Sequence, residues 1–68
     1  IPTLEYEIKD NKLNYRYTEI IENFDMPILI EIDEDVKWLY PKANWQTISI
    51  NSNDIKIDPN FLVYSKKR

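Results

Sequence analysis

A chain of 68 residues can form one small domain at most, and its 43% of hydrophobic residues is enough for a core. The absence of cysteine and histidine excludes disulfides, thiolate metal sites and the commonest catalytic acid/base, and the absence of glycine excludes phosphate-binding loops. A net charge of −3 disfavours nucleic-acid binding, which usually requires a basic face.

The ends of the chain indicate a piece of a larger protein. It begins Ile1-Pro2, without an initiator methionine and without a visible signal peptide. Lys66-Lys67-Arg68 is the one basic run, and it is interpreted as a solvated terminus. No apolar run approaches the roughly 20 residues of a membrane-spanning helix. Without cysteine the compartment stays open, although a periplasmic or secreted location is favoured over the cytoplasm.

The first predicted element is a β-hairpin. Apolar and polar side chains alternate on both sides of Asp10-Asn11, two residues that tolerate a positive φ. A two-residue turn there places apolar residues opposite one another, namely Leu4 with Tyr17, Tyr6 with Tyr15, and Ile8 with Leu13. On the other face Glu5 meets Arg16, an opposite-charge pair.

A second hairpin is predicted after Pro27, which suits the first position of a strand because it lacks an N–H group. We expect Asp33-Glu34-Asp35 to form a three-residue loop. The loop would pair Ile32 with Val36, Ile30 with Trp38, and Ile28 with Tyr40. This register places Trp38 in the core.

A third hairpin is predicted near the end of the chain. A strand from Trp45 to Ile50 is followed by a polar loop, Asn51-Ser52-Asn53-Asp54. In this interpretation Ile55 and Ile57 lie opposite Ile50 and Ile48. A turn at Asp58-Pro59-Asn60 then leads to a last strand, residues 61–64, and the chain is expected to be frayed from Ser65 onward.

Six or seven short strands at intervals of about eight to twelve residues are typical of antiparallel sandwiches and barrels. The segment Thr18 to Asn23, between the first two hairpins, is interpreted as a strand end and a loop. The predicted fold class is therefore all-β, a small antiparallel β-sandwich of immunoglobulin-like architecture. Residues 1–68 would form a single domain that is a fragment of a larger protein.

The sequence predicts no catalytic residue and no metal ligand. Asp33-Glu34-Asp35 offers three carboxylates, but adjacent residues in a hairpin loop cannot converge on one cation without help. Tyr15-Arg16-Tyr17 combines aromatic rings with a cation, but one arginine in an acidic chain is a poor nucleic-acid surface. Exposed aromatic residues remain, and Tyr40 and Trp45 are predicted to contact a neighbouring domain or a ligand.

Four short motifs carry a resemblance to a known family: Phe24-Asp25-Met26-Pro27, Trp38-Leu39-Tyr40-Pro41, Trp45-Gln46-Thr47 and Asp58-Pro59-Asn60-Phe61-Leu62-Val63. Over residues 4–64 their order and spacing resemble the small β-sandwich domain that follows the catalytic domain in aminopeptidase-N-like zinc metallopeptidases, especially bacterial members. Such sequences tend to have glycine before the first motif. This chain has Asn23 there, the next best residue for a positive φ.

The resemblance implies a structural role and no activity for this chain. Enzymes of this family cut N-terminal residues from peptides with a zinc ion held by an H-E-x-x-H motif and a downstream glutamate, and the motif is absent here. What it implies is a spacer packed against the catalytic domain of the same polypeptide, with zinc in that domain alone. The alternatives are a free-standing sandwich that binds a glycan or an extended peptide, and a linker module in a longer surface protein.

Overall fold

The computed structural model describes residues 2–19, 24–61 and 63–68, and within these ranges the protein is all-β, with seven strands in two packed sheets. The strands are β1 (Thr3–Lys9), β2 (Lys12–Thr18), β3 (Ile28–Ile32), β4 (Asp35–Leu39), β5 (Gln46–Ser49), β6 (Lys56–Ile57) and β7 (Tyr64–Lys67). Sheet A has the order β5-β2-β1-β7, and sheet B has the order β4-β3-β6. The predicted small β-sandwich is confirmed.

The first hairpin has the predicted register. Asp10 and Asn11 form its two-residue turn with φ angles of 53° and 60°, as in the type I′ turn whose twist matches that of paired strands. The pairs between β1 and β2 are the expected ones: Leu4–Tyr17, Glu5–Arg16, Tyr6–Tyr15 and Ile8–Leu13.

The second hairpin differs from its predicted register by one residue. Its turn consists of Asp33 and Glu34 alone, with φ angles of 48° and 73°, and Asp35 is already the first residue of β4. The expected three-residue loop is therefore wrong, and so are the pairs Ile32–Val36, Ile30–Trp38 and Ile28–Tyr40. A slip of one residue moves every side chain of a strand to its other face.

Because of this one-residue slip, Leu39 lies in the core and Trp38 does not. Leu39 lies opposite Ile28 and is only 1% exposed, whereas Trp38 lies opposite Leu29 and is 48% exposed. Ile28 and Ile30 face sheet A, so Leu29 and Trp38 lie on the outer face of sheet B. The predicted core position of Trp38 is wrong.

The predicted hairpin between β5 and β6 is also wrong. β5 pairs with β2 in sheet A, while β6 pairs with β3 in sheet B. The segment between them crosses from one sheet to the other, and both Ile50 and Ile55 are buried along it. Isoleucines that point inward at every second position are expected both in a hairpin and in a crossover between sheets. The alternating pattern therefore does not distinguish these two connections.

The last strand begins later than predicted and is not frayed. The turn at residues 58–60 is confirmed, because the Phe61 N–H donates to the Asp58 carbonyl at 3.0 Å. β7 then runs parallel to β1, with Thr3 opposite Tyr64, and the Arg68 N–H donates to the Tyr6 carbonyl at 2.8 Å. The backbone of the basic run is thus held against β1, while its side chains are exposed to solvent as predicted.

The core lies between the two sheets and contains Leu4, Tyr6, Leu13, Tyr15, Tyr17, Ile28, Ile30, Leu39, Ile50 and Ile55. Tyr17 joins sheet A to the residues that enter β3. Its hydroxyl donates to the Met26 carbonyl at 2.6 Å, and its ring meets that of Phe24 edge-on at 5.4 Å. The predicted loop between the hairpins, including the φ of Asn23, lies largely outside the described residues; β2 ends at Thr18, as expected for that segment.

Candidate functional site

The outer face of sheet B is exposed and carries several apolar side chains, together with the charged neighbours Glu31 and Lys56. We call the side chains of Leu29, Val36, Trp38 and Phe61 the apolar outer face. Val36 is 63% exposed and Trp38 is 48% exposed, and the ring of Phe61 meets that of Trp38 edge-on at 5.5 Å. Two large rings are thus held against one another at the surface.

Acidic side chains border the apolar outer face at one end. Asp33, Glu34 and Asp35 are all exposed at the β3–β4 turn. A shallow cleft of about 180 Å³ crosses the face, and its lining includes Leu29, Val36 and Pro59 as well as Glu31 and Lys56. The face therefore combines exposed apolar side chains with one pair of opposite charges, Glu31 and Lys56, and a negative border. This combination suits a partner surface that is apolar with basic groups around it.

The outer face of sheet A is polar and centres on Trp45, which leads into β5. The guanidinium carbon of Arg16 lies 4.5 Å from the centre of the indole, and that of Arg68 lies 5.7 Å from it. Arg16 also contacts Glu5, with its Nη2 2.7 Å from Oε1. Cation–π contact and ion pairing together fix the position of Arg16 beside Trp45.

A cleft of about 230 Å³ next to Trp45 is lined by Glu7, Asn14 and Arg68. The Thr47 hydroxyl donates to Asn14 Oδ1 at 2.6 Å and so orients the amide. A carboxylate, an amide and a guanidinium beside an indole can hydrogen-bond the hydroxyls of a sugar. The two guanidinium groups already contact the indole, however, so a sugar ring would compete with them for the aromatic surface.

The two predicted contact residues lie next to different sheets. Tyr40 directly follows β4 of sheet B and is 61% exposed, whereas Trp45 precedes β5 of sheet A and is 39% exposed. Sequence reasoning missed Trp38 as a surface residue. The stretch Val36-Lys37-Trp38-Leu39-Tyr40 has apolar residues in both strand phases, so its pattern carried no decisive sign of the register.

A polar cluster at Asp54 secures the crossover between the sheets. Asp54 Oδ1 accepts hydrogen bonds from the Ile55 N–H at 2.9 Å and from the Tyr6 hydroxyl at 3.4 Å, and Lys67 Nζ lies 3.4 Å away. The Ile55 N–H and, more weakly, Lys67 lower the pKa of Asp54, while burial and the Asp54 charge raise the pKa of Tyr6. These contacts tie the crossover to β1 and β7.

The described residues do not form a metal site. In residues 2–19, 24–61 and 63–68, no three or more metal-binding side chains are grouped to hold an ion. Zinc sites in proteins rely on histidine, cysteine and carboxylate ligands, and this chain lacks the first two. The same residues include no helix that is long and apolar enough to cross a bilayer.

Comparisons with models of known protein families, with curated proteins and with solved structures found no match for this chain. Function is therefore inferred from the chemistry of the surfaces and from the sequence motifs.

Proposed function

We propose that this chain is a non-catalytic β-sandwich domain of a zinc aminopeptidase-like metallopeptidase, and that it acts as a spacer packed against the catalytic domain of the same polypeptide. The observation that carries the proposal is the apolar outer face. Trp38 and Val36 are exposed there, beside Leu29 and Phe61, while the opposite side of sheet B already forms the core. A contiguous exposed apolar patch usually marks a contact surface.

The side chains of this face determine which kind of partner surface can pack against it. The exposed apolar side chains favour an apolar partner surface, because burying them removes hydrocarbon from water at about 25 cal/mol per Å². The acidic border at residues 33–35 favours lysine or arginine on the facing part of the partner. The surface of the catalytic domain that meets sheet B is expected to have both features.

Two of the motifs that carry the resemblance supply the face. Trp38 belongs to Trp38-Leu39-Tyr40-Pro41, and Phe61 belongs to the motif that begins at Asp58. Their rings are in contact although they are distant in sequence. A docking role gives a reason for both motifs to be aromatic. Zinc would be held by the catalytic domain, and this chain supplies no ligand to it.

A pair of single-tryptophan variants tests the docking face. Trp45→Phe leaves Trp38 as the reporter, and Trp38→Phe leaves Trp45. We expect acrylamide to quench Trp38 readily in the 68-residue chain and much less in a parent polypeptide whose other tryptophans have been replaced by phenylalanine. The control is Trp45, whose quenching should change little. Equal quenching of Trp38 in both proteins would contradict the docking proposal.

The identity of the parent has a separate test. The pure chain is expected not to hydrolyse aminoacyl-anilide substrates, because it lacks the H-E-x-x-H motif. The reading frame that encodes it should encode that motif upstream. Chelator-sensitive hydrolysis by the pure chain, or a parent frame without the motif, would refute the assignment to a zinc aminopeptidase while leaving the docking face to be judged by quenching.

The glycan alternative is distinguished with the same variants. Glu7, Asn14 and Arg68 beside Trp45 are the observation that favours it. In the Trp38→Phe variant, a saturable change of Trp45 fluorescence on adding neutral oligosaccharides would support sugar binding on sheet A. No change would be expected if the chain acts only as a spacer.

A further inference from the structure

Strand β5 is the least protected of the sheet edges formed by the described strands. Exposed edges invite pairing with other chains, and proteins commonly protect them with charge, proline or short length. β7 carries Lys66 and Lys67, and β4 carries Lys37 on its core-facing side. β6 has two residues and is followed by Asp58-Pro59. β5 has the sequence QTIS, with neither charge nor proline.

The free hydrogen-bonding groups of β5 can be assigned from its pairing with β2. The Ile50 N–H donates to the Asn11 carbonyl at 2.9 Å, so Ile50 and every second residue before it direct their backbone groups toward β2. The backbone groups of Thr47 and Ser49 consequently point away from the sheet, and those of Trp45 follow the same phase. Among the described strands, β5 pairs with β2 alone.

We propose that two copies of this chain pair antiparallel along β5, about a twofold axis at Thr47. In this register Thr47 lies opposite the partner's Thr47, and Trp45 lies opposite the partner's Ser49. Each of these residues directs its free backbone groups outward, so each facing pair exchanges two hydrogen bonds. The two copies of sheet A become one continuous sheet. This proposal is independent of the proposed function, which uses sheet B.

The distribution of charge favours β5 over the other edge strands for pairing, and it favours a second copy of this chain as the partner strand. Every facing pair at this register is neutral, and a Thr–Thr pair across an antiparallel ladder is favourable. Self-pairing of β4 about its centre would oppose Lys37 to the partner's Lys37. In β7 the backbone groups of Ser65 and Lys67 point outward, and self-pairing about Lys67 would likewise oppose two ammonium groups. Like charges directly opposite each other destabilise a ladder.

Cysteine cross-linking tests the register, because the chain has no native cysteine. Thr47→Cys places two thiols opposite each other, with Cα atoms about 5.5 Å apart, within the range of a disulfide. Ser49→Cys is the matched control on the same face of the same strand, where the two thiols would lie about 13 Å apart along the ladder. We expect a covalent dimer from Thr47→Cys alone under mild oxidation. Equal cross-linking of the two variants would refute the register.

Sedimentation equilibrium tests the association itself. The 8.3 kDa chain should show a mass twice that value at high concentration, and Thr47→Lys should weaken dimerisation by about fivefold or more through like-charge repulsion. Val36→Lys on sheet B is the control for added charge, and circular dichroism verifies folding. A chain that stays monomeric at millimolar concentration, or that loses dimerisation on Val36→Lys but not on Thr47→Lys, would overturn the proposal.

Discussion

At the scale of single residues, Tyr17 is the side chain that fastens one sheet to the other. It is 1% exposed, and its hydroxyl reaches the Met26 carbonyl just before β3. Burial raises its pKa to about 12, because the phenolate would lose its hydration in the core. A tyrosine in this setting stabilises the fold only while it is protonated.

We expect Tyr17→Phe to lower the free energy of unfolding by about 1 kcal/mol near neutral pH, since the Met26 carbonyl loses its partner. The unfolded state releases the Tyr17 proton near pH 10 and the folded state near pH 12, so wild-type stability falls across that window by about 2–3 kcal/mol from this group. The variant should lack this part of the fall. Urea denaturation from pH 8 to 12 measures both effects.

The matched control for this prediction is Tyr40→Phe, which removes the hydroxyl of a 61% exposed tyrosine. It should leave stability unchanged at pH 8. Tyr6 and Tyr15, whose pKa values are also raised by burial, remain in both variants and cancel in the comparison. A Tyr17→Phe curve parallel to wild type between pH 10 and 12 would contradict the assigned pKa.

At the scale of elements, the two hairpins show when a register can be predicted. The first was predicted pair by pair because Asp10-Asn11 tolerates positive φ and the flanking strands are apolar on one face only. In the second hairpin, the turn requires a φ of 73° at Glu34. Glutamate adopts a positive φ only at an energetic cost, so the sequence did not indicate a two-residue turn at this point. The following strand has apolar residues on both faces, so the hydrophobic pattern did not show which of the two registers is adopted.

Glu34→Gly should therefore raise the stability of the protein by up to about 1 kcal/mol, because glycine adopts positive φ without strain and Asp-Gly suits a type I′ turn. The control is Asp35→Gly, one residue later in the regular strand β4, which should cost about 0.5–1 kcal/mol. Urea midpoints at unchanged m-value report both changes. If Glu34→Gly were as destabilising as Asp35→Gly, the two-residue turn would be wrong.

At the scale of the whole molecule, composition and alternation were enough to predict a small all-β sandwich. They were not enough to predict how strands distant in sequence are arranged. The crossover from β5 to β6 and the parallel pairing of β1 with β7 depend on long-range packing, which local patterns do not encode. The exposed position of Trp38 was not predicted, because the predicted register of the hairpin between β3 and β4 was wrong by one residue.

The parallel pairing of β1 with β7 has a mechanical consequence. Wherever the polypeptide continues beyond these strands, tension along it pulls β1 and β7 past each other lengthwise. The hydrogen bonds between Thr3–Tyr6 and Tyr64–Lys67 then bear the load together, instead of opening one at a time like a zip. Forced unfolding is governed by the rate of crossing that barrier. A module built this way resists stretching better than its small size suggests.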